Sequence, residues 1–347
     1  MKVLINDKEY VLTDINKFGG EGDLYTTVYM AEVKCIKIYH PEKRTAYNER
    51  KIITLINRFK RMSMGGIESN IGYPEIPVYD SVTKKFCGFL MKYFGNHVPI
   101  TEFKFSNNLF TYGETELNDE NILTLIDQLF FYLKVLHKAG IILGDVNPEN
   151  ILIETKSLEP AIVDFDSVQV GSFFSNTKRN DYVDPMVRID GHGSYKYFIY
   201  STDSDIYSLS IIFYELILGV KPHFFQTTNP TETNYKKTIG LTFLQYFIQN
   251  GSNIEPPSLE VEKNKTYDAL WERLNYLKIN RPNVFNFLKL IFIDGKRYYF
   301  YNKQKRLINI EKKQGVTEFK EIELLSQSKE DPNELEYFIK QFTLQIP

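Results

Sequence analysis

Apolar and polar positions along this chain fall into period-two runs first and 3.6-period stretches later, which predicts strands followed by helices. Residues 3–12 read as a strand pair around the turn residues Asn6 and Asp7. The stretch INKFGGEGDLYTTVYM sets glycines between two strand-prone halves. Residues 33–39 (VKCIKIY) alternate so that Val33, Cys35 and Lys37 share one face. Residues 42–61 are helix-like, with Glu49, Ile52, Ile53 and Ile56 on the stripe expected to pack inward. Residues 86–94 (FCGFLMKYF) read as another strand. Residues 121–137 then carry Ile122, Leu125, Ile126, Leu129, Leu133 and Leu136 on one helical stripe, capped by Asn118 or Asp119 and stopped at Gly140. Residues 150–153 and 161–163 are short apolar runs that need burial as strands. Residues 201–219 have a polar start, an apolar interior and a glycine stop, which predicts a helix. Further helices are expected around residues 236–249, 267–277 and 283–293, and a short one near 333–342.

Composition narrows the class. A chain of 347 residues with 43% hydrophobic content can bury the core of a two-lobed globular unit. A net charge of -2 supplies no global field to recruit nucleic acid or anionic lipid, so no nucleic-acid partner is expected. Cys35 and Cys87 both lie in strand-like stretches, which argues for a reducing compartment rather than a disulfide framework. The N-terminal MKVLINDKEY lacks an apolar signal core. The longest apolar stretch, near residues 206–220, contains Glu215 and is too short to span a bilayer, so a cytoplasmic protein with no membrane partner is expected. Internal repeats and zinc-type Cys/His spacing are absent from the sequence.

The chemistry gathers at residues 141–153, IILGDVNPENILI. Asp145 and Asn150 sit in a tight loop closed by an apolar strand, and the next run, AIVDFDS, puts Asp164 at the end of a second strand. Two carboxylates and an amide on neighbouring strand ends form an oxygen-rich set suited to Mg2+. Upstream, Lys37 on an inward face needs a partner, and Glu49 on an inward helix stripe needs one too. An unpaired buried charge costs on the order of several kcal/mol, so the two are expected to pair.

These residues resemble the protein kinase superfamily, whose catalytic loop reads H-R-D-x-x-x-x-N and is followed by D-F-G. The counterparts here are Leu143-Gly144-Asp145 with Asn150, then Asp164-Phe165-Asp166. More narrowly, GDVNPEN followed by DFDS is similar to a bacterial subgroup with G-D-x-N-P-x-N and D-x-D-S. The resemblance runs from about residue 19 to about residue 282 and implies an α+β, bilobal fold: a small β-rich lobe over 1–94, a larger helical lobe over 95–293, and an extension over 294–347 outside the resemblance. It implies ATP with Mg2+, and transfer of the γ-phosphoryl to a Ser or Thr hydroxyl of a protein. Asp145 becomes the catalytic carboxylate, Lys37 the phosphate-gripping lysine oriented by Glu49, and Asn150 and Asp164 the metal ligands. The implied nucleotide site comprises Gly19, Gly20, Gly22, Leu24, Cys35, Lys37, Met91, Tyr93, Asn147 and Leu152.

The chain also departs from that pattern. Gly144 stands where the arginine that answers a phosphorylated activation loop belongs, so switching by that route is not expected. Asn147 replaces a lysine near the γ-phosphate, which shifts electrostatic stabilisation toward Lys37 and the metal. Asp184-Pro185-Met186 replaces A-P-E, although Arg281 sits where its arginine partner belongs. Asp205 stands at the anchoring aspartate of the helix over 201–219. These departures keep two alternatives open, a nucleotide-binding pseudokinase with a regulatory role and a kinase-fold enzyme acting on a small molecule. The extension over 294–347 is expected to brace the larger lobe or to dock a partner.

Overall fold

The computed structural model describes residues 1–18, 20–106, 109–175, 177–184, 187–190, 197–219, 221–222, 244, 248 and 265–293. Gly19, Pro185, Met186, the extension over 294–347 and, apart from Leu244 and Ile248, the helix expected over 236–249 lie outside the described residues.

The chain opens with β1 (Lys2–Ile5) and β2 (Lys8–Val11), joined through Asn6 and Asp7 at φ 48° and 62°, the left-handed backbone that a two-residue hairpin turn requires. Then come β3 (Thr13–Phe18), β4 (Gly22–Tyr29), β5 (Glu32–Tyr39), α1 (Ala46–Arg61), β6 (Ile76–Asp80), β7 (Phe86–Lys92) and β8 (His97–Pro99). A meander of β9 (Lys104–Ser106), β10 (Leu109–Tyr112) and β11 (Thr115–Leu117) precedes α2 (Asp119–Lys138). After α2 follow β12 (Ile141–Ile142), β13 (Ile151–Glu154), β14 (Pro160–Ile162), β15 (Gln169–Val170), β16 (Arg188–Asp190) and β17 (Tyr197–Ile199). Helices α3 (Thr202–Leu218), α4 (Lys265–Asn280) and α5 (Pro282–Phe292) complete the described elements.

Contacts divide the chain into two compact units. The first comprises Met1–Thr101, Val135–Thr177 and Gly191–Phe198; the second comprises Glu102–Lys134, Lys178–Asp190 and Ile199–Pro347. The first is built on a seven-stranded antiparallel sheet in the order β2-β1-β6-β7-β5-β4-β3. Period-two alternation gives it one apolar face, where Val3, Ile5, Ile36, Ile38, Val78 and Leu90 form a buried cluster. α1, capped by the Thr45 side chain on the Asn48 amide, packs on β6 and β7 through Ile52, Leu55, Ile56 and Phe59. In a separate three-stranded sheet β13 pairs with β14 and β8. That sheet is tied to the segment before β6 by the Gly72 amide, which donates to the Ile162 carbonyl at 2.8 Å, and by Asn70 Nδ2, which donates to the Pro160 carbonyl at 3.0 Å.

The second unit has an aromatic helical core in which Phe287 meets Phe130 and Phe213, and Phe292 meets Tyr214, with ring centroids 5.4–5.8 Å apart. α3 begins with a reciprocal capping box between Ser201 and Ser204 and ends at Gly219, φ 74°. Asn118 accepts from the Asn121 amide, which makes it the cap of α2. Among the described residues no helix is long and apolar enough to cross a membrane.

Candidate active site

Lys37 lies on β5, flanked directly by Leu24 of β4 and Phe89 of β7. Strand alternation turns its side chain away from the apolar cluster, and only 9% of that side chain is exposed. Gly88 makes the geometry possible, because a Cβ there would overlap the Lys37 carbonyl oxygen. Gly22 is required for a similar reason, facing the Ile38 carbonyl across β4 and β5. Sequence reading assigned Gly22 to phosphate binding and passed over Gly88; both are needed for close strand approach.

The Lys37 ammonium donates to two carboxylates, Asp164 Oδ1 at 2.7 Å and Asp166 Oδ1 at 2.9 Å. Burial by itself would lower the lysine's pKa; Asp166 and Asp164 outweigh burial and hold it above the usual lysine range. Burial pushes the Asp164 carboxyl up to about 6 against the pull of Lys37. For Asp166 burial acts in the same direction, but Lys37 prevails and keeps its carboxyl below the usual range.

The expected Lys37–Glu49 pair is therefore corrected. Glu49 Oε1 instead accepts from the Tyr79 hydroxyl at 3.2 Å. α1 is rotated from the expected phase: Ile53 is exposed, while Lys51 is buried beside Ile52, Leu55, Ile56 and Phe59. Helix α1 thus brings a cation, not an anion, to the inside.

Asp145, Asn150 and Asp164 are brought together by the β13–β14 hairpin. Ile151 pairs with Ile162, and the Val163 amide donates to the Asn150 carbonyl at 3.0 Å, so Asn150 and Asp164 sit at the same end of the two strands. Two side-chain amides, Asn147 Nδ2 and Asn150 Nδ2, each donate to the Asp145 carbonyl at 3.1 Å. The Glu149 amide closes the loop onto Asn147 Oδ1 at 2.9 Å. Asn147 is 2% exposed with both ends of its amide used inside the loop, so it braces Asp145 rather than facing a nucleotide as expected. Gly144 has φ 72°, a left-handed conformation that strains any residue with a Cβ, which gives a backbone reason for glycine at this position.

Asp164 itself has φ 68°, strain of roughly 1–3 kcal/mol for a non-glycine residue. It is held there by its neighbours. Phe165 is fully buried against Phe59 of α1, with ring centroids 5.5 Å apart, and the Ser167 hydroxyl donates to the Asp164 carbonyl at 2.8 Å. The chemistry of the donor set fits a hard divalent cation: Asp164 offers carboxylate oxygens with one third of its side chain exposed, and Asn150 Oδ1 accepts no hydrogen bond among the described residues.

Of the remaining expected nucleotide residues, Cys35 and Met91 face each other across β5 and β7 and are 4% and 7% exposed. Leu24 and Leu152 are half-buried, Tyr93 is exposed, and Gly20 borders open space. Ser167 and Ser175 are buried. Arg281 Nη2 lies 3.7 Å from Glu120 Oε1 at the start of α2, and Asp205 is fully buried on α3. Sequence reasoning missed Asp166, Lys51 and Gly88. The second aspartate of DFD, standing where the family motif has glycine, was the signal for the first.

Residues 29–293 match the family described as the protein kinase domain. The chain is 28% identical over 142 residues to serine/threonine-protein kinase sck2 of Schizosaccharomyces pombe, covering 39% of this chain and 21% of that protein. It is likewise 28% identical over 149 residues to calcium-dependent protein kinase 4 of Plasmodium berghei, covering 37% of this chain and 27% of that one. The aligned part is thus about a fifth to a quarter of these relatives' own length. A family match running from the end of β4 to the end of α5 takes in well over half of the chain, and the protein belongs to the protein kinase domain family, whose members work with ATP and a divalent metal.

Proposed function

We propose that this chain transfers the γ-phosphoryl group of ATP to a serine or threonine hydroxyl of a protein, with Mg2+ as the metal. The observation that carries the reading is the convergence, within one compact unit, of the Lys37 ammonium, the Asp164 carboxylate and the loop that holds Asp145 and Asn150. Phosphoryl transfer is chiefly positioning and charge stabilisation, and these groups supply both. Lys37 binds phosphate oxygens. Cys35, Met91, Leu24 and Leu152 supply apolar surface for the base, and Gly20 leaves room over the phosphates. Asp145, with its backbone fixed by two amides, orients the incoming hydroxyl and accepts its proton. Asn150 and Asp164 hold the metal, which when bound neutralises charge on the phosphates.

Asp145→Asn separates binding from chemistry. It is expected to leave ATP affinity within about threefold while lowering transfer of labelled γ-phosphate to a generic acceptor protein by at least a hundredfold, about the contribution of a positioned base. Transfer that survives Asp145→Asn unchanged would overturn the mechanism.

One observation favours a second reading, a nucleotide-binding pseudokinase: Lys37 is engaged by two carboxylates and Glu49 is turned to Tyr79. Wild-type protein that binds ATP and transfers to no acceptor across a broad panel would decide for it.

A further inference from the structure

Four charged side chains meet inside the first unit. Lys37 comes from β5, Lys51 from α1, and Asp164 and Asp166 from the segment after β14. Their formal charges cancel. Within the group the two carboxylates are unequal: one third of the Asp164 side chain is exposed, against 2% for Asp166. Asp164 is the carboxylate open to a ligand and Asp166 is internal. Lys51 is 4% exposed and has no hydrogen-bond or ion-pair partner among the described residues; the charge it is most strongly drawn to is Asp166. Between the two aspartates, Phe165 is wedged against Phe59, so the position of Asp166 is tied mechanically to α1. Glu49 takes no part in this group.

We propose that Asp166 is the positioning residue for Lys37, doing from the DFD segment what an α1 glutamate was expected to do, and that buried Lys51 supplies the balancing positive charge. The inference rests on the reading of Lys37 as the phosphate-binding lysine. Its logic is a division of labour. Lys37 is shared between two carboxylates, and when Asp164 is occupied by a metal only Asp166 is left to keep the ammonium on station. The sequence Asp-Phe-Asp then carries one carboxylate directed at the metal and one at the lysine, on either side of an aromatic anchor. Burial also separates this role from metal ligation, because a carboxylate that is 2% exposed is shielded from an incoming ion.

The test compares Asp166→Asn with Glu49→Gln by ATP affinity in the presence of Mg2+. Asp166→Asn should weaken binding at least tenfold, and by clearly more than Glu49→Gln. Because Asp166→Asn leaves an unbalanced buried cation, the double variant Lys51→Met/Asp166→Asn serves as the folded control: its melting temperature should return toward the wild-type value while its ATP affinity stays low. A larger loss from Glu49→Gln, or wild-type affinity in the double variant, would overturn the proposal. So would a loss in Asp166→Asn that excess Mg2+ abolishes, since that makes Asp166 a metal ligand. A thermal double-mutant cycle between Lys37→Met and Asp166→Asn in nucleotide-free protein decides the positioning claim independently. The two single changes should be non-additive, whereas additivity would refute the pair. Failure of the wild type to bind ATP would count against the functional reading alone.

Discussion

Taking an ammonium out of water without a hydrogen-bond acceptor is costly, and at Lys51 the cost is visible as a pKa lowered to about 8. Burial drives that shift against the opposing pull of Asp166, Glu21 and Asp164, and Lys37 adds to it. Lys51→Met should therefore stabilise the nucleotide-free protein at pH 7, by about 1–3 kcal/mol in chemical denaturation, while removing the balance around Asp166. The sign of the pH dependence follows from linkage. The folded protein releases this proton near pH 8 and the unfolded chain near 10.5, so the wild type regains stability relative to Lys51→Met as pH rises through that window. A gap that stays constant from pH 7 to 10 would show that Lys51 keeps its proton in the folded protein across that range and that burial does not lower its pKa. Single residues also set the limit of what the sequence disclosed. Lys37 was legible because a lysine on the inward face of an alternating strand has few explanations. Asn147 was not, since an amide in a loop reads equally well as ligand or brace until its two hydrogen bonds are seen.

Secondary-structure elements were easier to read than their rotation. Strand β5 and helices α1, α2, α3 and α5 lie where the periodicity put them. On a helical wheel, however, Glu49 and Lys51 fall on opposite flanks of the Ile52, Leu55, Ile56 and Phe59 stripe. Which flank is buried depends on β6 and the DFD segment, neither of which a periodicity contains. The β9–β11 meander escaped notice because its strands are only three or four residues long and read as connecting chain. Close approach between β5 and β7 is the feature most sensitive to change. Gly88→Ala puts a methyl group into the Lys37 carbonyl, so it should cost about 3 kcal/mol or more in denaturant unfolding and weaken ATP binding, because the strand that carries Lys37 must shift. A neutral Gly88→Ala would mean that the two strands separate cheaply.

For the molecule as a whole, ligand linkage is the broadest check. ATP with Mg2+ at about a hundred times its dissociation constant should stabilise the protein by about 2.7 kcal/mol, seen as a rise in melting temperature. EDTA should remove most of that rise, and Asp164→Asn should abolish its metal-dependent part. No rise at millimolar nucleotide would contradict binding. The family and, short strands such as β9–β11 apart, the order of strands and helices were open to reading from the sequence. The grouping into compact units was not, because it depends on contacts between stretches far apart in the chain.

The ties from Asn70 to Pro160 and from Gly72 to Ile162 have a consequence for biosynthesis. Asn70 finds its acceptor 90 residues downstream. A nascent chain leaving the ribosome can pair β1 to β7 early, but the segment before β6 lacks its binding partners until β14 has emerged. Closing so long a loop precedes the contacts that reward it. Lys37 is thus made early and its two aspartates late, and synthesis that stalls between them leaves the Lys37 ammonium on a sheet without its counter-charges.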